Sequence, residues 1–79
     1  MDKYFIIDRR RDPQGNFVAL TTLSVWKALE PKLSAIDDLD GVEVDFAGEK
    51  VLLKSKSRAR LKAIMNKARA LGISVSGSL

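Results

Sequence analysis

The sequence predicts a small single domain of the α+β class, residues 1–79, with two helices packed on one mixed β-sheet. Two observations predict this fold. Short runs rich in β-branched and aromatic residues, bounded by Gly, Pro, Asn and Asp, are typical of strands. Two other stretches carry apolar residues three and four positions apart, which is the spacing of a helix with one buried face. These patterns follow one another along the chain as ββα-ββα-β.

The first pattern is a hairpin. An unbroken apolar run at residues 4–7 predicts a strand buried on both faces, and residues 16–22 predict its partner. Asp12, Pro13 and Gly15 occupy the first, second and fourth positions of a type I turn between them. The same loop carries three consecutive arginines, Arg9, Arg10 and Arg11.

The first helix is predicted to begin after Ser24, a residue whose hydroxyl suits an N-cap. Its apolar stripe runs on to about residue 38. Pro31 falls inside the stripe, where an interior proline costs about 3 kcal/mol, so the pattern predicts either a kink or two short helices. The stripe keeps its phase across the proline, which favours the kink. Its members are Trp26, Leu29, Leu33 and Ile36.

Residues 42–54 predict a second hairpin, whose register is set by its turn. With a two-residue type II′ turn at residues 48–49, Glu43 faces Lys54 across the strands and opposite charges are paired. The same register gathers the apolar residues on the other face: Val42, Val44, Phe46, Val51 and Leu53. An offset of 33 residues hints at an internal repeat, because it aligns Gly15 with Gly48, Val18 with Val51 and Leu20 with Leu53.

A second amphipathic stretch spans residues 55–71 and is strongly basic. Either Ser55 or Ser57 is predicted to cap its start, and Gly72 is predicted to end it. Its apolar face consists of Leu61, Ile64, Met65, Ala68 and Leu71. The alternation at residues 73–76 then predicts a last strand, parallel to the strand before the helix if the two share a sheet.

The composition excludes several functional classes. The chain has no cysteine and no histidine, which removes disulfides, thiolate nucleophiles, the commonest general base and the commonest transition-metal ligand. No apolar run approaches the ~20 residues that span a bilayer. Residues 1–7 lack the order of a signal peptide, so a cytoplasmic location without membrane contact is expected. We expect no enzymatic activity, no catalytic residue and no cofactor.

The acidic residues after the first helix match a calcium loop only in part. Counting Asp38 as position one puts Asp40 at position three and Glu49 at position twelve, as in an EF-hand. Val42 then occupies a ligand position and Glu43 the glycine position, so the pattern fails. We therefore expect no metal site here.

Charge is segregated along the chain. Residues 1–20 carry four bases and three acids, residues 21–49 carry two bases and seven acids, and residues 50–79 carry eight bases and no acid. The last block alone therefore has a charge of +8, against +4 for the whole chain. Such asymmetry predicts either a partner of negative potential or an internal pairing of the acidic and basic blocks.

Three basic features are candidate binding sites. At the start of the second helix, unpaired backbone N–H groups and the helix dipole favour a phosphate or carboxylate. Consecutive arginines in the first hairpin loop suit bidentate recognition of the same groups. On the outer face of the second helix, small residues lie between two rows of bases, so that a nucleic-acid backbone or a partner helix can approach closely.

The three candidate binding features consist of basic residues together with one serine and several small residues. The helix start carries Lys54, Lys56, Ser57 and Arg58. The small residues on the outer face are Ala59, Ala63, Asn66 and Ala70; one margin is formed by Arg58, Lys62 and Arg69, and the other by Arg60 and Lys67. The loop contributes Arg9, Arg10 and Arg11.

These features predict a non-enzymatic basic module that contacts nucleic acid or a nucleoprotein complex through the second helix and the arginine loop. The alternative is an inhibitor or adaptor that docks on an acidic protein surface. Small inhibitors encoded by phages and mobile elements, anti-CRISPR proteins among them, are similar to this chain in size and composition only. A homodimer formed through the alanine face or a sheet edge is a third hypothesis.

Overall fold

The chain folds into one five-stranded sheet with two helices. A computed structural model describes residues 3–8, 12–33 and 37–77. The elements within these ranges are β1 (Tyr4–Asp8), β2 (Phe17–Thr22), α1 (Leu23–Leu29), a single 3₁₀ turn (Glu30–Lys32), β3 (Val42–Ala47), β4 (Lys50–Ser55), α2 (Arg58–Ala70) and β5 (Ser74–Ser76). The predicted mixed α+β class is confirmed. The order departs from ββα-ββα-β by the 3₁₀ turn after α1.

The sheet joins the two hairpins through their second strands. The strand order is β3-β4-β2-β1-β5, and every neighbouring pair is antiparallel except β1 and β5. β5 therefore runs parallel to β1 at one edge of the sheet, while β3 forms the other edge. Because β4 and β1 are both antiparallel to β2, β5 is also parallel to β4, the strand that precedes α2.

The helix α1 is shorter than the sequence predicts and begins earlier. Its N-cap is Thr22, whose Oγ1 accepts the backbone N–H of Val25 at 3.3 Å, so the predicted Ser24 cap is wrong. The helix ends at Leu29, and the 3₁₀ turn that follows contains Pro31. The predicted kink is not confirmed, because a proline without an N–H ends the helix here instead of bending it. The stripe residue Ile36 lies outside the described residues.

The hairpin β3–β4 has the predicted register, with Phe46 opposite Val51. Gly48 has φ +62° and Glu49 has no positive φ, which is the combination that a type II′ turn requires. Two details differ from the prediction. The cation of Lys54 lies 3.6 Å from Asp45 Oδ2, not beside its direct neighbour Glu43. Phe46 is 60% exposed, since β3 is an edge strand, and its ring packs edge-on against Trp26 at a centroid distance of 6.5 Å.

The core lies between the two helices and one face of the sheet. It is formed by Phe5, Ile7, Ala19, Trp26, Leu29, Val51, Leu53, Leu61, Ile64, Met65 and Ala68. In β1, Phe5 and Ile7 are buried while Ile6 is 38% exposed. The prediction that this strand is buried on both faces is therefore wrong, because both helices contribute to the core on the same side of the sheet.

The helix α2 is the longest element and has a defined cap at each end. Ser57 Oγ accepts the backbone N–H of Arg60 at 3.3 Å, and Ser55 Oγ accepts the N–H of Ser57 at 3.0 Å. At the other end Gly72 takes φ +80°, and the N–H of Ile73 donates to Ala68 O at 3.1 Å, as in a Schellman motif. The glycine stop is as predicted. Leu71 lies beyond the helix and is exposed, so the buried stripe ends at Ala68.

Candidate nucleic-acid interface

The outer face of α2 is fixed by what its inner face buries. Leu61, Ile64, Met65 and Ala68 point into the core. Because the side chains repeat every 3.6 residues, the opposite face carries the small residues predicted for it. Ala59, Asn66 and Ala70 are exposed, and Ala63 is half-buried. The result is a surface strip without bulky side chains along the helix.

One margin of this strip is neutralised by the acidic segment between the 3₁₀ turn and β3. The ammonium of Lys67 donates to Asp38 Oδ2 at 2.8 Å and to the backbone oxygen of Lys32 at 3.0 Å. The Asp38 side chain is only 18% exposed, which limits screening of this pair by solvent. Arg60 Nη2 lies 3.9 Å from Asp40 Oδ2, but Asp40 is 75% exposed, so this second pair is weak. Part of the basic block is thus paired internally.

The other margin of the strip is turned to solvent. Arg58, Lys62 and Arg69 are all exposed. At 1.5 Å per residue, Arg58 and Lys62 are separated by about 6 Å along the axis, and Lys62 and Arg69 by about 10 Å. Within the described ranges, neither Lys62 nor Arg69 has a carboxylate oxygen within ion-pair distance. These cations are therefore the ones on α2 that are placed to meet an external anion.

The start of α2 extends this margin toward the sheet. Lys56 and Ser57 are exposed and directly precede Arg58. The first turn of the helix carries no acidic residue, so the partial positive charge of the helix dipole is not offset there. Ser57 Oγ already accepts a hydrogen bond as the N-cap, and its O–H remains able to donate to an anion.

The structure separates Lys54 from the other predicted site residues. In β4, Leu53 and Ser55 are buried toward the core, so Lys54 lies on the face of the sheet away from α2. Its nearest acid is Asp45. The pKa of the Asp12 carboxyl is held below its ordinary value by hydrogen bonds from Asn16, with smaller contributions from a hydrogen bond from Gln14 and the charge of Lys54. Lys54 is therefore not part of the basic surface of α2, because it lies on the opposite face of the sheet.

The predicted arginine loop, Arg9–Arg11, lies outside the described residues. Its attachment point is nevertheless defined. Asp8 pairs with Val18, which pairs with Lys54, so β1 ends at the same end of the sheet where β4 leads into α2. The end of β1 at Asp8 and the start of α2 thus lie at the same end of the sheet.

A second basic cluster was not predicted from the sequence. A depression of about 540 Å³ at the opposite end of the sheet is lined by Lys3, Tyr4, Thr22, Leu23, Ser24, Lys27, Glu49 and Lys50. Its three lysines lie just before β1, in α1 and in β4, and are separated by more than twenty residues at each step. No local pattern signals such a cluster, because only the tertiary fold brings these residues together.

In residues 3–8, 12–33 and 37–77, no three acidic or histidine or cysteine side chains lie together in a way that suits a metal ion. No helix within those ranges is long and apolar enough to cross a membrane.

No protein-family model, curated protein or solved structure matches the chain.

Proposed function

We propose that this protein is a non-enzymatic module that binds the backbone of nucleic acid through the open margin of α2. The binding residues are Lys56, Ser57, Arg58, Lys62 and Arg69, with Arg9, Arg10 and Arg11 as a second contact. The observation that carries the proposal is the sorting of charge on α2. One margin is paired with Asp38 and Asp40, while the cations of Lys62 and Arg69 face solvent beside a strip of small residues.

Backbone binding fits the spacing and type of these side chains. Phosphates are met by Lys and Arg side chains and by backbone N–H groups at a helix start. The alanines and Asn66 leave room for a sugar–phosphate chain to lie along the helix, so the cations at its margin reach it without steric conflict. Charge attraction of this kind depends little on base sequence.

The aromatic residues do not support reading of single-stranded bases. Stacking requires exposed rings beside a basic groove. The basic helix α2 itself carries no aromatic residue, Phe5 and Trp26 are buried, and Phe46 lies on the far edge strand with its ring against Trp26. The half-buried Tyr4 lies at the opposite end of the sheet from the start of α2. The proposal is therefore restricted to sequence-independent binding, and a duplex is the expected ligand.

A salt titration tests the proposal. Fluorescence anisotropy with a labelled 20-base-pair duplex is measured at 50 mM and 200 mM salt. With about four phosphates contacted, the affinity is expected to fall about a hundredfold between the two conditions. Absence of binding at 50 mM, or binding that ignores salt, contradicts the proposal.

A matched pair of variants locates the interface on α2. Lys62→Gln and Lys67→Gln make the same change of charge on the same helix, five residues apart. Lys62→Gln is expected to weaken binding several-fold and to lower the salt slope by about one. Lys67→Gln is expected to change the affinity much less, because Asp38 already pairs with that lysine. Equal losses of duplex affinity in the two variants would contradict binding at the margin of α2 that carries Lys62.

A second experiment distinguishes nucleic acid from the alternative partner, an acidic protein surface. The tagged protein is incubated with host lysate, treated with nuclease and recovered. A single stoichiometric protein that survives nuclease and is lost with Lys62→Gln would replace nucleic acid as the partner.

A further inference from the structure

The depression at the end of the sheet where β2 leads into α1 gathers positive charge. Lys3, Lys27 and Lys50 line it, together with one acidic residue, Glu49, and all four residues are exposed. In the described part of the chain, none of the three ammonium groups lies within ion-pair distance of a carboxylate. Three such cations in one concave site repel one another, and an anion bound among them relieves that repulsion.

The backbone around the depression is tied together by hydrogen bonds between its elements. Because β1 and β4 are both antiparallel to β2, their first residues lie beside the last residues of β2. Thr21 Oγ1 donates to the backbone oxygen of Tyr4, the neighbour of Lys3, at 2.6 Å. The N–H of Leu23 donates to the backbone oxygen of Glu49 at 2.7 Å. The charged side chains are therefore attached to a fixed frame, so that little backbone ordering is required when an anion binds.

The depression also offers a neutral hydrogen-bond donor. Thr22 Oγ1 accepts the N–H of Val25 at 3.3 Å and lies 3.2 Å from Ser24 Oγ. When Thr22 donates its proton to Ser24 Oγ, the O–H of Ser24 is able to donate to a ligand. Ser24 is exposed and lines the depression. Ammonium groups and hydroxyls are both groups that bind phosphate oxygens.

The charge of the depression matches a dianion. Three lysines and one glutamate leave a net charge of +2. A phosphomonoester carries about −1.5 to −2 at neutral pH, whereas a carboxylate or a sulfate ester carries a single negative charge. We propose that the depression binds the phosphate group of a small phosphomonoester.

A smaller groove continues from the depression and has room for the rest of the ligand. The two cavities share Lys3 and Ser24, and the groove has a volume of about 260 Å³. Its other lining residues are Val25, Ala28, Leu71, Gly72 and Ile73. Lys3 is the one charged residue in this lining, and Leu71 is 38% exposed. The ligand is therefore expected to carry an apolar or aromatic group next to its phosphate. The volume of the depression, about 540 Å³, lies within the range of about 300–1,000 Å³ of small-molecule sites.

Titration of isotope-labelled protein, followed by amide correlation spectra, tests the ligand. Phenyl phosphate is added up to about 20 mM, because a small ligand in an exposed site is expected to have a dissociation constant of about 0.1–10 mM. The phosphate is expected to shift the amide signals of Leu23, Ser24 and Lys50, and the ring those of Ala28 and Gly72. Inorganic phosphate should shift the first group alone. Phenyl sulfate, with the same ring and a smaller charge, should bind several-fold more weakly.

A matched pair of lysine variants locates the site. Lys27→Gln and Lys32→Gln make the same change of charge at exposed positions, but Lys32 lies in the 3₁₀ turn and does not line the depression. Lys27→Gln is expected to weaken phenyl phosphate binding several-fold, and Lys32→Gln is expected to leave it unchanged. The amide spectra of the unliganded variants confirm that both are folded.

Duplex binding separates this site from the proposed nucleic-acid surface. The depression lies at the opposite end of the sheet from the start of α2, so Lys27→Gln should lower duplex affinity much less than Lys62→Gln does. A wild type that binds phenyl phosphate but no duplex would contradict the proposed function and support this site. Displacement of phenyl phosphate by the duplex would make the depression part of the nucleic-acid surface and would overturn the present proposal.

Three further results would overturn the proposal. They are an absence of shifts at the highest phenyl phosphate concentration, binding of phenyl sulfate as tight as that of phenyl phosphate, and binding that is indifferent to Lys27→Gln. A phosphotyrosine peptide that binds at least tenfold more tightly than phenyl phosphate would identify the ligand as a protein segment, and would overturn the assignment to a small molecule.

Discussion

At the scale of single residues, Asp12 organises the turn at residues 12–16 that leads into β2. Its carboxylate accepts the backbone N–H of Asn16 at 2.8 Å, the Asn16 side-chain amide at 3.0 Å and the N–H of Gln14 at 3.0 Å. The N–H of Gly15 closes the predicted turn on Asp12 O at 2.9 Å. These donors favour the charged carboxylate, so the pKa of Asp12 lies below its ordinary value of 3.8.

The lowered pKa of Asp12 predicts an acid-dependent loss of stability. The charged carboxylate stabilises the fold fully above its unfolded pKa, near 3.8, and this contribution is lost as the pH falls through the lower folded value. In Asp12→Asn that contribution is absent at every pH. Urea unfolding followed by Trp26 fluorescence should show a wild-type advantage above pH 5 that shrinks below pH 3.5. An advantage that stays constant from pH 7 to pH 3 would contradict this.

Ser57 has two separable roles, as a helix cap and as a proposed contact to phosphate. Ser57→Ala removes the bond to the Arg60 N–H and is expected to cost about 1 kcal/mol of unfolding free energy. Ser57→Asp keeps a capping oxygen and adds a charge that suits the helix start, so its stability should equal or exceed that of the wild type. Its duplex affinity should fall, because the new carboxylate repels phosphate. Urea unfolding and anisotropy on the same samples measure both effects.

At the scale of elements, the stop of α2 at Gly72 depends on a left-handed residue. Gly72 has φ +80° and no atom within 4 Å of the site of an added Cβ, so a substitution there is penalised by backbone conformation alone. Gly72→Ala is expected to destabilise the protein by about 1–2 kcal/mol, and Gly72→Asn by less. Thermal unfolding by circular dichroism ranks the two. Equal stability of Gly72→Ala and the wild type would refute the role of the motif.

The apparent sequence repeat of the two hairpins does not correspond to a repeat of side-chain positions in the sheet. The offset of 33 residues matches Val18 with Val51 and Leu20 with Leu53. In the sheet, Val51 and Leu53 are buried in the core, whereas Val18 and Leu20 lie on the face of the sheet that is turned away from the helices. Successive side chains of a strand point to opposite faces of the sheet, so an alignment displaced by one residue matches core residues with residues of the other face. The offset of 33 residues therefore does not relate structurally equivalent positions.

At the scale of the whole molecule, the acidic and basic blocks are partly paired with each other. The contact of Lys67 with Asp38 joins α2 to the segment before β3. Asp38→Asn is expected to lower the unfolding free energy by about 1 kcal/mol, whereas Asp40→Asn, on a highly exposed pair, should change it by less than about 0.5 kcal/mol. Asp38→Asn should also raise duplex affinity, because Lys67 is released. Unfolding curves and anisotropy at 50 mM salt check both, and equal stability of the two variants would contradict the first expectation.

Most elements could be predicted from the sequence, because their signals are local. The register of β3–β4 follows from a two-residue turn and alternating side chains, and the end of α2 follows from Gly72. The boundaries of α1 could not be predicted as well. Thr22 and Ser24 are both good caps, and whether Pro31 bends or ends a helix depends on what packs around it.

The sequence alone determined the composition of the candidate site: a basic helix with one apolar stripe and an alanine-rich outer face, in a chain without histidine or cysteine. Only the tertiary structure decided which charges on that helix are available. It placed Asp38 against Lys67, turned Lys54 to the other side of the sheet and left Lys62 and Arg69 exposed. The physical reason is the sequence separation of the interacting residues. The buried and exposed faces of a helix are set by residues three and four positions apart, which a local pattern shows. The pairing of Lys67 with Asp38 joins residues about thirty positions apart, and only the tertiary fold brings them together.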